Sequence, residues 1–523
     1  MKKILSVMLG TVTALSCFAV AGCDKIDPNA LVIEYYKAGY GDTWIKNLAA
    51  EYEKRYGQEV VLLPREGAQG LKKMDGSLRS GTAETDLFFA GTPSFSDVYR
   101  GEISVPNKGV YNSWFADLTD LYESKVEGEN VTVEDKMLDY FQEYFKMDTD
   151  DDKFYDQSYF FFPYVTGMFG IVVNLDVWDT VVPQGTEYPR TTDELLELCE
   201  SVKDTVAPFF YSLREEYWTA SLPVFMHQYE GDASMNAFYK GYGPDEGEDG
   251  IRYDTNMVAY DGYQKALEFF EDLLKPANNY MHPNSVSYSF TTMQGLFLEG
   301  KSLFCVNGDW LENEMIVNYP GSRIEMMKTP VLSAVADKCS FAEDANRDAI
   351  LREIIDYVDG KTQTQPANCT PADVEIVREA RSIEYVTGNS NTAYVTSYSN
   401  QIDSAKRFLR MMASDEGMKM FRDGTNGSEM PFKYTNEANA ENPNASMFRQ
   451  SINRAMSKSQ AKFTNNKDKI YSVGGILVQL YNNSYGRFVD AFLAGTTAAE
   501  YFDAEVRAVN ALLPGARESA GIK

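Results

Sequence analysis

Short apolar runs alternate along this chain with stretches whose apolar residues recur every three or four positions. Leu31-Val32-Ile33-Glu34-Tyr35-Tyr36 is the first run and predicts a strand. A glycine-containing loop covers residues 37–42, and Trp44, Leu48 and Tyr52 then share one face of a helix predicted to end at Tyr56. Residues 58–63 predict a second strand, 71–80 a helix, and Asp86-Leu87-Phe88-Phe89-Ala90 a third strand that stops at Gly91-Thr92-Pro93. Strand alternating with helix implies a parallel α/β sheet. Ligands of such sheets bind beyond the carboxyl ends of the strands. Residues 36–42 and 90–93 are thereby placed along one edge of a cleft.

Further on, Tyr159-Phe160-Phe161-Phe162-Pro163-Tyr164 is almost wholly aromatic, and residues 167–174 predict another strand. Helical spacing returns at 192–202, 263–274 and 290–298. A strand over 302–306 then runs into Asn307-Gly308-Asp309-Trp310. Residues 337–385 are charged, hold one amphipathic piece (349–358) and a polar run (362–370), and read as an insertion. Beyond it come a strand at 393–397 and helices at 404–412, 416–421, 445–456, 474–492 and 497–512, with no internal repeat. A chain of 523 residues is too long for one core, so two or more domains are expected.

The first residues add an address. Lys2 and Lys3 precede an uncharged apolar stretch over 4–21, the pattern of a secretory signal. It ends in Val20-Ala21-Gly22-Cys23, which resembles a bacterial lipobox. That resemblance implies cleavage before Cys23, lipid on its sulfur, and residues 23–30 as a short polar tether; a plain transmembrane anchor is the alternative. No later stretch approaches 18 uninterrupted apolar residues.

Charge narrows the function classes. With 49 basic and 77 acidic residues the formal net charge is −28, which argues against nucleic acid and against anionic lipid as partners. Only His227 and His282 are present, and neither Gly-x-Ser-x-Gly nor His-Glu-x-x-His occurs. Asp148, Asp150, Asp151 and Asp152 lack the glycine and glutamate of a calcium loop, so no metal and no cofactor is expected. Beyond Cys17 and Cys23 there are four cysteines without a close pair: Cys199 and Cys305 read as buried thiols, while Cys339 and Cys369 are either a bridge or two free thiols. Tyrosine is abundant, at 34 residues against 30 Phe and 5 Trp, and it combines a flat apolar face with a polar tip.

Four stretches carry a family likeness. They are the opening Leu31-Val32-Ile33 with its Gly/Asp loop and aromatic helix, and Phe162-Pro163-Tyr164 leading to the strand that ends at Asn174. Tyr188-Pro189-Arg190-Thr191-Thr192-Asp193-Glu194-Leu195 is the third, and Phe297-Leu298-Glu299-Gly300-Lys301-Ser302-Leu303 followed by Asn307-Gly308-Asp309-Trp310 the fourth. In this order, with residues 403–421 as a late helix pair, they resemble bacterial extracellular solute-binding proteins of sugar importers, the broad family of maltose-binding protein. The likeness spans about 31–515, except 337–385. It implies a type II two-lobe α/β fold with an interlobe ligand cleft. Lobe 1 would take 31–163 and a return segment near 390–430, lobe 2 164–335 and the C-terminal helices from about 431. It also implies a non-enzymatic monomer that closes on a sugar or oligosaccharide and docks on separate ABC permease subunits. The alternatives are another solute (peptide, polyamine or metal), a surface glycosidase, or an adhesin.

Sugar recognition needs an aromatic plane for the C–H face of the ring and polar groups for its hydroxyls. By the resemblance, Trp310 is the stacking plane. Asp309 either accepts sugar hydroxyls or caps the next helix. Asp42 either binds ligand or caps the Trp44 helix, and Tyr40 shares its loop. Trp44 itself is expected to be packed below the ligand. Tyr164 borders the cleft, Tyr217 and Trp218 offer a second stacking surface, and Thr92 stands where relatives carry bulkier residues. Glu429 and Tyr485 complete the candidates, Glu429 being otherwise a solvated loop acid.

Overall fold

The computed structural model describes residues 26–37, 39–81, 84–99, 102–147, 157–210, 221–244, 256–463, 467–476 and 488–521. The signal segment, Cys23, the acidic run 148–152, Tyr217, Trp218, Tyr485 and most of the helix expected at 474–492 lie outside them.

Two sheets organise the chain. The first has strand order Val60–Arg65, Leu31–Tyr36, Leu87–Ala90, Thr392–Val395, Phe162–Pro163. The first three are parallel, Ile33 standing opposite both Leu62 and Leu87. Thr392–Val395, which arrives some three hundred residues later, runs antiparallel to Leu87–Ala90 and brings Phe162–Pro163 in beside it. The helix Thr43–Tyr56 covers one face with Trp44, Ile45, Leu48 and Tyr52, as its spacing predicts. The core of this lobe is strongly aromatic. Trp44 packs edge-on against Phe89 and Phe421, and Phe95, Phe115 and Phe161 form a further edge-to-face group.

The second sheet has order Ile324–Met326, Phe169–Asn174, Ser302–Gly308, Ala207–Phe210. Its central strand Ser302–Gly308 is buried at every position, which explains its near-continuous apolar sequence. Local chemistry starts the surrounding helices. The Asn174 side chain accepts from the backbone N–H of Asp176 and Val177, and Thr191 accepts from that of Glu194. A Thr370/Asp373 capping box with Pro371 in the first turn begins Pro371–Ser382.

Residues 337–385 are more than an appendage. Their helices Arg347–Asp359 and Pro371–Ser382 insert Ile350, Leu351, Ile354, Ile355, Val374 and Val377 into the same core as Val173, Leu195 and Phe304. The segment is therefore part of the second lobe's interior. Pro371–Ser382 escaped the sequence reading because the polar run before it masks its apolar stripe. Also unforeseen were the strand Ala207–Phe210 and the helix Leu222–Glu230, whose Pro223 sits in the first turn. Cys199 and Cys305 are buried thiols as expected; Cys339 and Cys369 are free, with no bridge between them. Among the described residues no helix is long and apolar enough to cross a membrane.

Among the described residues, 164–168, 386–391 and 429–446 each run from one lobe to the other. They are stitched together, the Thr166 N–H donating to the Glu429 carbonyl (2.8 Å) and the Thr387 N–H to that of Gly167 (3.1 Å).

Candidate ligand site at the lobe junction

The strand Ser302–Gly308 ends where the first lobe's opening loop meets the second lobe, and three glycines allow the approach. A Cβ on Gly308 would lie 2.3 Å from the Trp310 ring, and one on Gly167 2.1 Å from the Asp309 carboxyl carbon. One on Gly39, across the junction, would lie 3.0 Å from both the Trp310 Cβ and the Glu314 Cγ. No side chain larger than hydrogen fits at the first two without displacement.

Asp309 is fully buried and accepts from three segments at once. The Thr387 hydroxyl donates at 2.9 Å, the Arg449 Nη1 at 3.3 Å, and the Tyr40 hydroxyl reaches it at 3.5 Å from the other lobe. Burial pushes its carboxyl above the usual range, against the pull of Arg449. Its side chain does not cap the helix Leu311–Met315. Arg449 is buried too; its Nε lies 3.6 Å from Glu312, and Nε and Nη2 form no hydrogen bond.

Trp310 stands on the other side of this turn. It is half-buried, its ring centroid 6.0 Å from that of Phe169 and tilted by 34°. Glu314, one helical turn on, is half-buried as well and accepts from Gln294 Nε2 at 2.8 Å. Desolvation raises its carboxyl, with repulsion from Asp309 adding to it. Tyr36, at the end of the first strand, feels Glu314 across the junction: burial and then that acid raise its hydroxyl. Trp310, Phe169, Glu314 and Tyr36 thus offer aromatic surface and hydrogen-bonding groups from both lobes.

The remaining candidates are dispersed. Tyr40 is buried beside Asp309. Asp42 occupies the N-cap position of Thr43–Tyr56, but its carboxylate binds Lys46 (2.9 Å) and Lys37 (3.5 Å) instead of the helix backbone. Lys46 and Lys37 hold it below the usual carboxylate range. Tyr164 is buried and stacks on Trp44 at 5.5 Å, within the first lobe's core. Thr92 is half-buried and its N–H donates to the Ser390 carbonyl at 3.2 Å. Glu429 is no solvated loop acid: it lies 3.6 Å from Arg422, accepts from Tyr434 at 3.4 Å, and burial pushes it up to about 7.

Sequence reasoning placed Tyr36 at the cleft edge without giving it a role, and missed Glu314, Phe169, Thr387 and Arg449. Glu314 had a readable signal, its i+4 spacing from Trp310. Thr387 and Arg449 had none, since they reach Asp309 only through the crossing segments.

Two α/β lobes, the segments that cross between them and a polar-aromatic junction between strand ends define a two-lobe binding protein. The family model for bacterial extracellular solute-binding proteins matches residues 37–419, and the chain belongs to that family, whose members work outside the cytoplasm. Solved structures share the fold at low identity. One comes from work on xylan utilisation by Caldanaerobius polysaccharolyticus, at 14% identity and TM-score 0.60, covering 91% of this chain and 99% of that one. A maltose-bound protein of T. maritima is 13% identical with TM-score 0.58, covering 93% and 99%. An ABC substrate-binding protein of Listeria monocytogenes, in complex with cycloalternan, is 14% identical with TM-score 0.57, covering 95% and 100%. No curated protein sequence matches.

Proposed function

We propose that this protein is the substrate-binding component of an ABC importer, held at the outer face of the membrane by lipid on Cys23, and that its cargo is a sugar or oligosaccharide. The observation that carries the reading is the half-buried indole of Trp310 beside Glu314 and Tyr36 at the lobe junction. Such a plane suits the apolar face of a pyranose, and the acid and phenol suit its hydroxyls. The sugars bound by proteins of the same fold point the same way. Trp310 is the stacking residue in this proposal, with Glu314 and Tyr36 as polar partners and Tyr217, Trp218 and Tyr485 as further contacts. Asp309, Tyr40 and Arg449 position the turn. Ligand bridging both lobes stabilises the closed state, which the permease then receives.

Calorimetry against a panel of oligosaccharides, with peptides and polyamines alongside, tests this. Saturable sugar binding without product is the expected result. Binding of peptide or polyamine alone would move the cargo to that class, and sugar cleavage on chromatography would make the protein a glycosidase.

A further inference from the structure

The second lobe carries a depression of about 550 Å³ remote from the junction, beside the edge strand Ile324–Met326. One wall is aromatic, Trp178 meeting Tyr188 edge-on at 5.0 Å. The rest is cationic: Arg190, Arg323, Lys328, Lys361 and Arg381 all line it, in a chain whose net charge is −28. Acids line it too, but each is engaged. Asp359 pairs with Arg381 (2.9 Å), Asp179 with Arg323 (3.0 Å), and Glu187 with Lys361. Arg190 is held by Glu194 (2.5 Å) and Asp356.

Lys328 is the exception. It is half-buried, yet its ammonium makes no ion pair or hydrogen bond with any described residue. Its charged surroundings are Arg381, Asp359, Glu384 and Lys458. Asp359 is committed to Arg381. Glu384 is fully buried, accepts from the Thr329 N–H (2.9 Å) and hydroxyl (2.5 Å), and is pushed up by burial to about 7, so it supplies incomplete countercharge. An ammonium partly withdrawn from water and without a protein acceptor gains from a counter-ion, which an oxyanion entering the depression would supply. Burial lowers the Lys328 pKa, with repulsion from Arg381 adding to it.

We infer that this depression is a second binding site, for a compact solute bearing a phosphate, sulfate or carboxylate group, with Lys328 as its primary cationic contact. Trp178 and Tyr188 would flank an attached ring or alkyl body. The site is independent of the sugar cleft.

The test is calorimetry of the full-length protein with inorganic phosphate, sodium sulfate and citrate, against sodium chloride at equal ionic strength. Sulfate and phosphate also stabilise proteins by exclusion from the surface, so the comparison rests on the Lys328→Met variant. Saturable binding of at least one oxyanion is expected, weakened tenfold or more in Lys328→Met, with oligosaccharide affinity unchanged. Because the substitution removes an unpaired cation, the anion-free variant should melt no lower than the parent. Anion effects that are linear in concentration, or equal in both proteins, would overturn the assignment.

Discussion

Asp309 and Glu314 lie five residues apart on one turn and its following helix, yet they do different work. Asp309 is sealed from solvent and knits the Tyr40 loop, the Thr387 crossing and Arg449 to the second lobe. Glu314 keeps partial exposure beside Trp310, with Gln294 as its hydrogen-bond partner. One acid defines the geometry of the junction; the other keeps partly exposed surface beside Trp310, as the proposed ligand contact requires. A motif such as Asn-Gly-Asp-Trp advertises a turn without saying which of its side chains faces inward.

The sharpest way to break this contrast is Asp309→Ala. Removing one partner of a buried ion pair costs about 3–5 kcal/mol, because the other charge is left uncompensated. Arg449 would lose its buried partner and keep Glu312 at 3.6 Å, so a large fall in urea midpoint is expected. A shift below about 0.5 kcal/mol, the scale of an ordinary surface change, would deny Asp309 its structural role. Gly167→Ala attacks the same contact from the opposite side. The new methyl would overlap a carboxyl group that cannot swing away, and overpacking of this kind costs roughly 1–3 kcal/mol. Its ligand affinity, measured below the melting transition, should fall with the stability.

Trp310→Ala should separate the two roles in the other direction. A buried aromatic anchor is worth about 2 kcal/mol of binding energy, or roughly thirtyfold in Kd. This ring is only partly buried, so the melting temperature should change far less than for Asp309→Ala. A variant that binds as the parent does would remove Trp310 from the site.

What the sequence disclosed follows the range of the interactions involved. The helix Thr43–Tyr56 and the strands Leu31–Tyr36 and Leu87–Ala90 were legible because their apolar spacing is local. The fold class followed from their alternation and from the family resemblance. The site was only half legible. Trp310 is marked by its position after a buried strand, but the partners that seal Asp309 come from residues 40, 387 and 449, and no local pattern links them. Tyr164 illustrates the reverse. It sits at a crossing in sequence, yet its ring turns back onto Trp44 inside the first lobe. The segment 337–385 looked like an insertion because its polar connections conceal two helices whose apolar faces complete the second lobe.

Glu314→Gln carries the smallest expected effect and the most discriminating sign. Losing the charge of a hydrogen-bond acceptor should weaken sugar binding by about 1 kcal/mol, some fivefold. The parent carboxyl titrates above its ordinary range, since desolvation disfavours the anion. The folded state therefore holds the Glu314 proton more tightly than the unfolded chain does. By linkage, this acid's contribution to stability is present at low pH and declines as pH rises through the raised pKa. Its contribution to binding runs the other way: a carboxylate that accepts sugar hydroxyls does so best once deprotonated, so affinity should climb over the same interval. In Glu314→Gln both slopes should flatten together, as read by calorimetry and by melting temperature from pH 4 to 8. A variant that loses the stability slope but keeps the affinity slope would place the titrating ligand contact on another group.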